Sequence, residues 1–190
     1  MTATSSFAYS HTVGFLANTG RGFNNPVDVA LDSQGILYVL NRAGPETALR
    51  LPYKRVVKCT VDEEYLGEFG TGGTGDGQFW WPSALAFDSE DRFYVAHEAL
   101  QRVSIFTKAG ELLGQWGSHG SQDGQLDRPS AMAFDSEDNM YLTDSLNHRV
   151  QKFTKDGTFL GKWGEAGDGP GQFNMPWGVA LDSNGDVYVS

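Results

Sequence analysis

The sequence has little cysteine, a deficit of positive charge and no long apolar run. Its 190 residues include one cysteine, Cys59, which excludes an internal disulfide framework and a multi-cysteine zinc module. The 14 basic against 24 acidic side chains give a formal net charge of -10, which disfavours non-specific binding to nucleic acid. No segment approaches the roughly 20 apolar residues of a membrane helix, and residues 1–20 lack the basic and apolar regions of a secretory signal. We therefore expect a soluble, cytoplasmic protein without a membrane partner.

The chain is instead rich in glycine and aromatic residues, with 24 Gly, 12 Phe and 5 Trp. This composition favours turns and short strands over long helices. One phrase occurs four times: FNNPVDVALDSQGILYVL, FWWPSALAFDSEDRFYVA, LDRPSAMAFDSEDNMYLT and FNMPWGVALDSNGDVYVS. Its proline recurs at positions 26, 82, 129 and 176, at spacings of 56, 47 and 47 residues. The longer first spacing indicates an insertion, Ala43 to Lys54, between the second and third strands of the first copy.

Each copy predicts four short strands. A D-S-x-x turn separates the first two, and its aspartate can accept hydrogen bonds from the turn backbone. In the first strand of each copy, the residues on one face are mostly small and those on the other face are bulky and apolar. In the second copy, for example, Ala84 and Ala86 alternate with Leu85 and Phe87. Such a strand is expected to be covered on both faces. With a period near 47 residues, this predicts an all-β fold, a β-propeller of four-stranded antiparallel blades.

The predicted propeller has about three full blades and two partial ones. The repeats span approximately 23–70, 79–117, 126–164 and 173–190, and a lone outer strand is expected within residues 7–17. Together they make residues 1–190 one partial propeller.

The repeated phrase resembles the NHL repeat over nearly the whole chain. The third copy matches best, through Gly124, Gln125, Pro129, Asp135, Tyr141, Asp144, Asn147, Arg149, Val150, Phe153, Asp156, Gly157, Trp163 and Gly164. The resemblance implies a propeller that usually closes with six blades, which at this period needs about 282 residues. We therefore expect the chain to be a piece of a larger propeller. It also implies a rigid module that binds a partner through loops and carries out no chemistry.

Several possible chemical sites have simpler structural interpretations. The loop TGGTGDGQF invites comparison with a phosphate cradle, but its glycines recur between strands in three copies, with no following helix. A blade-to-blade crossover that needs positive φ angles explains them. The four histidines fall at unrelated repeat positions, without metal-ligand spacing. No catalytic residue, metal ligand or cofactor is therefore predicted.

Asp144, Asn147 and Arg149 are close enough in sequence to form a polar site. The same spacing lets the loop between the second and third strands bond to itself, with Asp144 accepting from Arg149 or from backbone amides. The position of Asp144 is Asn41 and His97 in the other copies. A position of such variable chemistry at the rim is a candidate for ligand contact.

The strongest candidate for function is the face that bears the crossovers and the insertion. Its basic and aromatic residues suit an acidic peptide, an anionic ligand or RNA, and a solvated hairpin extension is the alternative for the insertion. Trp80 and Trp81 are adjacent, so in an extended segment only one can face inward and the other is expected to be exposed. The binding-face candidates are Arg42, Arg50, Tyr53, Trp80, Trp81, His97, Arg128 and Trp177.

Two classes of function remain. The first is a non-catalytic propeller scaffold that binds a protein, a peptide or another ligand on its loop face. The alternative is a propeller enzyme of the lyase or lactonase type with an axial divalent metal. RNA binding through a local basic rim is a second alternative, disfavoured by the net charge.

Overall fold

The structure, a computed structural model, describes residues 12–14, 16, 20–42 and 54–190. The described residues form 14 short strands and one 3-10 turn, Ser145–Asn147. The strands are β1 Pro26–Leu31, β2 Leu37–Arg42, β3 Lys54–Cys59, β4 Tyr65–Phe69, β5 Pro82–Phe87, β6 Phe93–His97, β7 Arg102–Phe106, β8 Leu112–Trp116, β9 Pro129–Phe134, β10 Asn139–Asp144, β11 Arg149–Thr154, β12 Phe159–Trp163, β13 Val179–Leu181 and β14 Val187–Val189. None of the helical turns in the described part of the chain is long and apolar enough to cross a membrane.

The strands form three four-stranded antiparallel sheets and one two-stranded sheet, each ordered as in the chain. We call β1–β4 blade 1, β5–β8 blade 2, β9–β12 blade 3 and β13–β14 blade 4. The predicted all-β blade architecture is confirmed. The predicted N-terminal outer strand lies largely outside the described residues. Within them, Leu16 pairs in parallel with Phe23, as Gly72 does with Phe79 in the next crossover.

The aspartates of the D-S-x-x turns bond forward as predicted. Oδ1 of Asp88 accepts the backbone N–H groups of Glu90 at 3.0 Å and Arg92 at 2.9 Å. Equivalent pairs of bonds form at Asp32, Asp135 and Asp182. Because these bonds satisfy backbone donors that the tight turn leaves unpaired, the four aspartates belong to the scaffold.

Adjacent blades pack face to face, as predicted from the small residues on one face of each first strand and the bulky residues on the other. In β5, Leu85 belongs to the apolar cluster shared with blade 1, whereas Ala84 and Ala86 belong to the cluster shared with blade 3. The bulky face of a first strand therefore meets the preceding blade, and the small face meets the following one. These two clusters are the core, and burying them supplies the main stabilising free energy of the array.

The hairpin turns of neighbouring blades are also joined by a carboxylate clamp. Oδ1 of Asp91 accepts the backbone N–H of Ser33 at 2.9 Å, and Oδ2 accepts its hydroxyl at 2.5 Å. Lys108 donates to the same carboxylate at 2.9 Å. The bonds from Ser33, with help from Lys108, lower the pKa of Asp91 to about 2. Ser89 and Asp138 repeat the clamp between blades 2 and 3.

The clamp predicts a pH-dependent contribution to stability. Because the pKa of Asp91 is lower in the folded chain, its contribution is complete well above the ordinary value of 3.8 and is lost as pH falls towards about 2. We expect Asp91→Asn to reduce the free energy of unfolding by about 1 kcal/mol at pH 7. At pH 3 the loss should be about half as large. Urea unfolding at both pH values measures it, and an equal loss at the two would contradict this role of the charge.

Candidate functional site

One end of the blades collects the crossovers and the loops that join second to third strands. Pro26 at the start of β1 lies beside Asn41 at the end of β2, and Pro82 lies beside His97 in the same way. We call this end the loop face. It is the face on which the sequence places the candidate residues.

Beneath the loop face lies a fully buried polar layer, formed by Asn41, His97 and Asp144. Oδ1 of Asn41 accepts the backbone N–H of Asn24 at 2.7 Å, which anchors the preceding crossover. Nε2 of His97 lies 3.0 Å from the hydroxyl oxygen of Ser104, and burial lowers the pKa of His97 to about 3, so the ring is neutral at pH 7. The expectation that this variable position contacts ligand at the rim is wrong. His97 is a core residue because its strand ends inside the array.

Asp144 is the best connected member of that layer. Oδ2 accepts from Nε of Arg149 at 2.8 Å, and Oδ1 accepts the backbone N–H of Asp127 at 2.6 Å. Arg149 then donates to the carbonyl oxygens of three crossover residues, Ser121, Gln122 and Gln125. The structural interpretation of the Asp144–Arg149 pair is confirmed, because the pair holds the crossover to the blade.

The glycine-rich crossovers are also structural. Gly73, Gly120 and Gly167 all have φ near +153°. The side-chain oxygen of Gln78 accepts the backbone N–H of Gly75 at 3.0 Å, and Gln125 and Gln172 repeat this bond in the next two crossovers. The glutamine thus binds an amide that a phosphate would need, and the positive φ angles predicted for a crossover are confirmed.

Above the buried layer, the residue before each proline has a left-handed backbone. The φ angles are +51° at Asn25, +47° at Trp81, +57° at Arg128 and +51° at Met175. A non-glycine residue in this region, and a bulky one above all, is strained. The strain recurs in every repeat while the side chain changes from amide to indole, guanidinium and thioether. The scaffold therefore fixes the position and leaves its chemistry free to vary.

A second variable position is held beside the first. The backbone N–H of Glu98 donates to the carbonyl of Trp81 at 2.9 Å, and Arg42 donates to that of Asn25 at 3.1 Å. The equivalent residue in blade 3 is Ser145. Blades 1, 2 and 3 thus each hold a coupled pair of residues at the loop face.

One residue of the pair in blade 1, both of the pair in blade 2 and one of the pair in blade 3 meet in a charged cluster. The carboxylate of Glu98, which is buried, lies 2.7 Å from Nη2 of Arg42 in blade 1 and binds Nη2 of Arg128 in blade 3. The guanidinium of Arg42 also lies over the Trp81 ring, 4.2 Å from its centroid. We call Arg42, Trp81, Glu98 and Arg128 the loop-face cluster. Two guanidinium groups compensate one carboxylate, which leaves a net charge of +1 on a chain whose total is -10.

Trp80 lies beside this cluster. The Lys54 ammonium sits 3.9 Å from the centroid of its ring. Trp80 and Trp81 are both partly buried, each beneath a cation, so the expectation that one of them is exposed is wrong. The reason is that Trp81 has positive φ, so the two residues do not form the extended segment assumed from sequence.

The other candidates divide by position. Trp177, in blade 4, is exposed. Arg50 and Tyr53 belong to the insertion, of which residues 43–53 lie outside the described part of the chain. Sequence reasoning missed Glu98. Glu98 could have been found by its repeat position, because its equivalents are Arg42 and Ser145.

Trp81 lines two open cavities. One, of about 420 Å³, is bounded by Glu98, Gln101, Asp127 and Arg128. The other, of about 110 Å³, is bounded by Asn25, Arg42 and Lys54. Among the described residues, no group of His, Cys, Asp and Glu could hold a metal ion. The two cavities are lined by the Trp81 indole ring and by guanidinium donors, which suit a ligand that has both an apolar part and a negative charge.

Comparison with known proteins supports the repeat and the fold. Residues 173–190 match the NHL repeat family. No curated protein matches the chain in sequence. A virginiamycin B lyase from Staphylococcus aureus is similar in structure, with TM-score 0.59 and 14% identity over 88% of this chain and 49% of that one.

Two further solved structures are similar in the same way. A protein of unknown function from Bacteroides thetaiotaomicron has TM-score 0.63 and 22% identity over 90% of this chain and 44% of its own. Hydrazine synthase of Kuenenia stuttgartiensis has TM-score 0.60 and 14% identity, with coverage of 90% and 44%. The chain spans about half the length of the structures it matches. At these identities the similarity concerns the fold alone.

Proposed function

We propose that the chain is a non-catalytic NHL-repeat scaffold that binds a protein or peptide on its loop face. Residues 173–190 match the NHL repeat family, and the described residues fold as β-propeller blades. One observation carries the proposal. At two positions in each of blades 1, 2 and 3 the backbone is constant and the side chains differ, and four of these six residues form the loop-face cluster. Where the repeat fixes the backbone conformation but not the side chain, the side chain can be chosen to bind a partner.

The chemistry of the cluster favours a peptide with acidic residues. Arg128 is bound to Glu98 through one nitrogen, and its side chain is 47% exposed. A guanidinium group has five donors, so those that face the cavity can bind a carboxylate in bidentate geometry. Trp81 supplies an adjacent apolar wall, and tryptophan and arginine are the side chains most often found at the energetic centres of protein interfaces.

The part of the chain that the structure describes offers no catalytic constellation that competes with this proposal. The buried polar residues described above each hold part of the scaffold. The lyase activity named for the S. aureus protein belongs to that protein, and the similarity to it is one of fold. Incubating the chain with quinupristin, the compound in a second structure of that lyase, tests a shared activity, and cleavage of quinupristin would overturn the non-catalytic proposal.

Binding is tested with fluorescein-labelled 12-residue peptides, one rich in Asp and Glu, one rich in Lys and one uncharged, together with oligouridine RNA. Fluorescence anisotropy should detect the acidic peptide. Arg128→Ala and Trp81→Ala should each weaken its binding about tenfold, which corresponds to about 1.4 kcal/mol. Each variant should stay within roughly 3 °C of the parent melting temperature, because neither residue is in the apolar core and the buried Glu98 carboxylate keeps Arg42 as its counter-charge.

Lys162→Ala is the matched control for Arg128→Ala. Its side chain is also 47% exposed and also paired with a carboxylate, Asp123, but it lies on the outermost strand of blade 3. This variant should bind the acidic peptide as the parent does. If both variants lost affinity for the acidic peptide equally, the binding would depend only on the overall charge of the protein. Binding of RNA in preference to the acidic peptide would favour the nucleic-acid alternative.

A further inference from the structure

We propose, on the basis of the binding function above, that the peptide bound on the loop face carries a basic residue directly beside an acidic one, and that Asp127 binds the basic side chain. Asp127 and Arg128 are consecutive residues of the crossover that enters blade 3, and both border the larger cavity of about 420 Å³. Trp81 and Glu98 border it from the side of blade 2. The cavity therefore lies at the junction of two complete blades, and its volume is in the range of ligand pockets, roughly 300–1,000 Å³.

Asp127 differs from Glu98, the other carboxylate that borders this cavity. Glu98 is buried between two guanidinium groups. The Asp127 side chain is 28% exposed, and its Oδ2 lies 3.5 Å from Nε2 of His119, which is longer than an ordinary hydrogen bond. Within the described ranges, no lysine or arginine nitrogen lies within 4 Å of the Asp127 carboxylate. Asp127 is thus an accessible carboxylate that a basic group of the ligand can bind.

The charges around the cavity balance when the ligand brings one of each sign. The loop-face cluster has a net charge of +1, and Asp127 reduces the total to zero. An acidic side chain alone on Arg128 would leave a net charge of -1 beside an unpaired carboxylate. An acidic and a basic side chain together leave the site neutral, with each charge facing its opposite.

Trp81 gives the basic side chain an aromatic surface beside that carboxylate. The indole ring lines both cavities, whereas Arg42, which lies over the ring, borders only the smaller one. The ring therefore also faces the cavity that contains Asp127. A cation placed there interacts both with the aromatic ring and with the carboxylate.

The two charged residues are held in place before a ligand binds. The backbone N–H of Asp127 donates to Oδ1 of Asp144 at 2.6 Å, and that of Arg128 donates to Oε1 of Gln101 at 2.7 Å. Their carbonyl oxygens accept backbone N–H groups of the loop that follows β10. Because the crossover is already ordered, little conformational entropy is lost on binding. Consecutive residues are about 3.8 Å apart at Cα, so the opposite charges of the ligand must also be close neighbours.

Fluorescence anisotropy with two isomeric peptides tests the role of Asp127. Each fluorescein-labelled peptide has 12 residues, with a run of four Glu, a single Lys and otherwise Gly and Ser. In one isomer the Lys directly follows the acidic run, and in the other six residues of Gly and Ser separate it from the run. Because the two have the same composition and net charge, their overall attraction to the protein is the same. We expect the first isomer to bind about tenfold more tightly.

Asp127→Asn should remove the difference between the isomers, because it removes the charge and keeps the shape and the backbone bonds of the residue. Asp168→Asn is the matched control. Asp168 is also an exposed carboxylate of a crossover, but it borders neither cavity. This variant should keep the tenfold preference for the first isomer. Near-ultraviolet circular dichroism should show that both variants remain folded, since asparagine has the shape of aspartate.

Equal binding of the two isomers to the parent chain would overturn this role of Asp127 and leave the proposed binding function standing. A preference that survives in Asp127→Asn would do the same, because the basic residue would then be recognised elsewhere. If neither isomer binds, and the acidic peptide without lysine does not bind either, the proposed binding function fails as well.

Discussion

Asp144→Ala is expected to lower the free energy of unfolding by about 4 kcal/mol. The carboxylate is fully buried and accepts from four groups. These are the backbone N–H of Asp127, Nε of Arg149, and the side-chain amides of Asn147 and Gln151. Alanine would leave the guanidinium of Arg149 buried without its counter-charge and leave the other donors unpaired, and each of these losses is costly.

Two further substitutions separate charge from hydrogen bonding. Asp144→Asn should lose about half as much, because Asn41 occupies the same position in blade 1 and accepts the backbone N–H of Asn24 at 2.7 Å. Asp123→Ala removes an exposed carboxylate, 3.9 Å from Arg149, and should cost at most about 1 kcal/mol. Urea unfolding at pH 7 measures all three. If Asp144→Ala lowered the free energy of unfolding no more than Asp123→Ala does, the proposed role of Asp144 in holding the crossover and the loop to the blade would be contradicted.

Gly117→Ala is expected to lower stability by about 3 kcal/mol, and the melting temperature by roughly 6–12 °C. Gly117 has φ +107°, and a Cβ there would lie 2.8 Å from the carbonyl oxygen of Gln101 and 3.0 Å from Cα of Arg102. Both are backbone atoms, which cannot turn away as a side chain could. Gly164 meets the carbonyl oxygen of His148 in the same way, at 2.9 Å, so the close approach is a property of the crossover.

Gly114→Ala is the matched control, three residues earlier in β8. No atom lies within 4 Å of a Cβ at that position, and its φ is outside the left-handed range. Stability should therefore be unchanged or higher by about 0.5 kcal/mol, since alanine restricts the unfolded chain. Differential scanning calorimetry compares the two variants, and similar melting temperatures would show that the crossover adjusts to a side chain.

The scaffold could be predicted from sequence because its rules repeat. The turn aspartates, exemplified by Asp88, bond to residues two and four positions ahead, so the hydrogen bonds are local. The alternation of small and bulky residues in β5 likewise predicts which neighbouring blade each side chain contacts. Four copies of one pattern separate this common scaffold from the residues that vary within it.

The loop-face cluster could be predicted only in part. Arg42, Trp81 and Arg128 were identified by chemistry, but the buried carboxylate that joins them, Glu98, comes from a different blade from either arginine. Such contacts depend on the rotation between blades, which a sequence pattern does not contain. The left-handed backbone of Trp81 was also missed, because residues before proline usually adopt extended conformations.

The indole N–H signals of the five tryptophans test the central claim, that the loop face is the binding site, most directly. A ¹H–¹⁵N spectrum of labelled protein shows one signal for each, assigned by Trp→Phe variants. Adding the acidic peptide should shift the signals of Trp80 and Trp81. Those of Trp116 and Trp163, on the outermost strands, should not move. Shifts confined to Trp116 and Trp163, or no shift with any of the three peptides, would contradict the account.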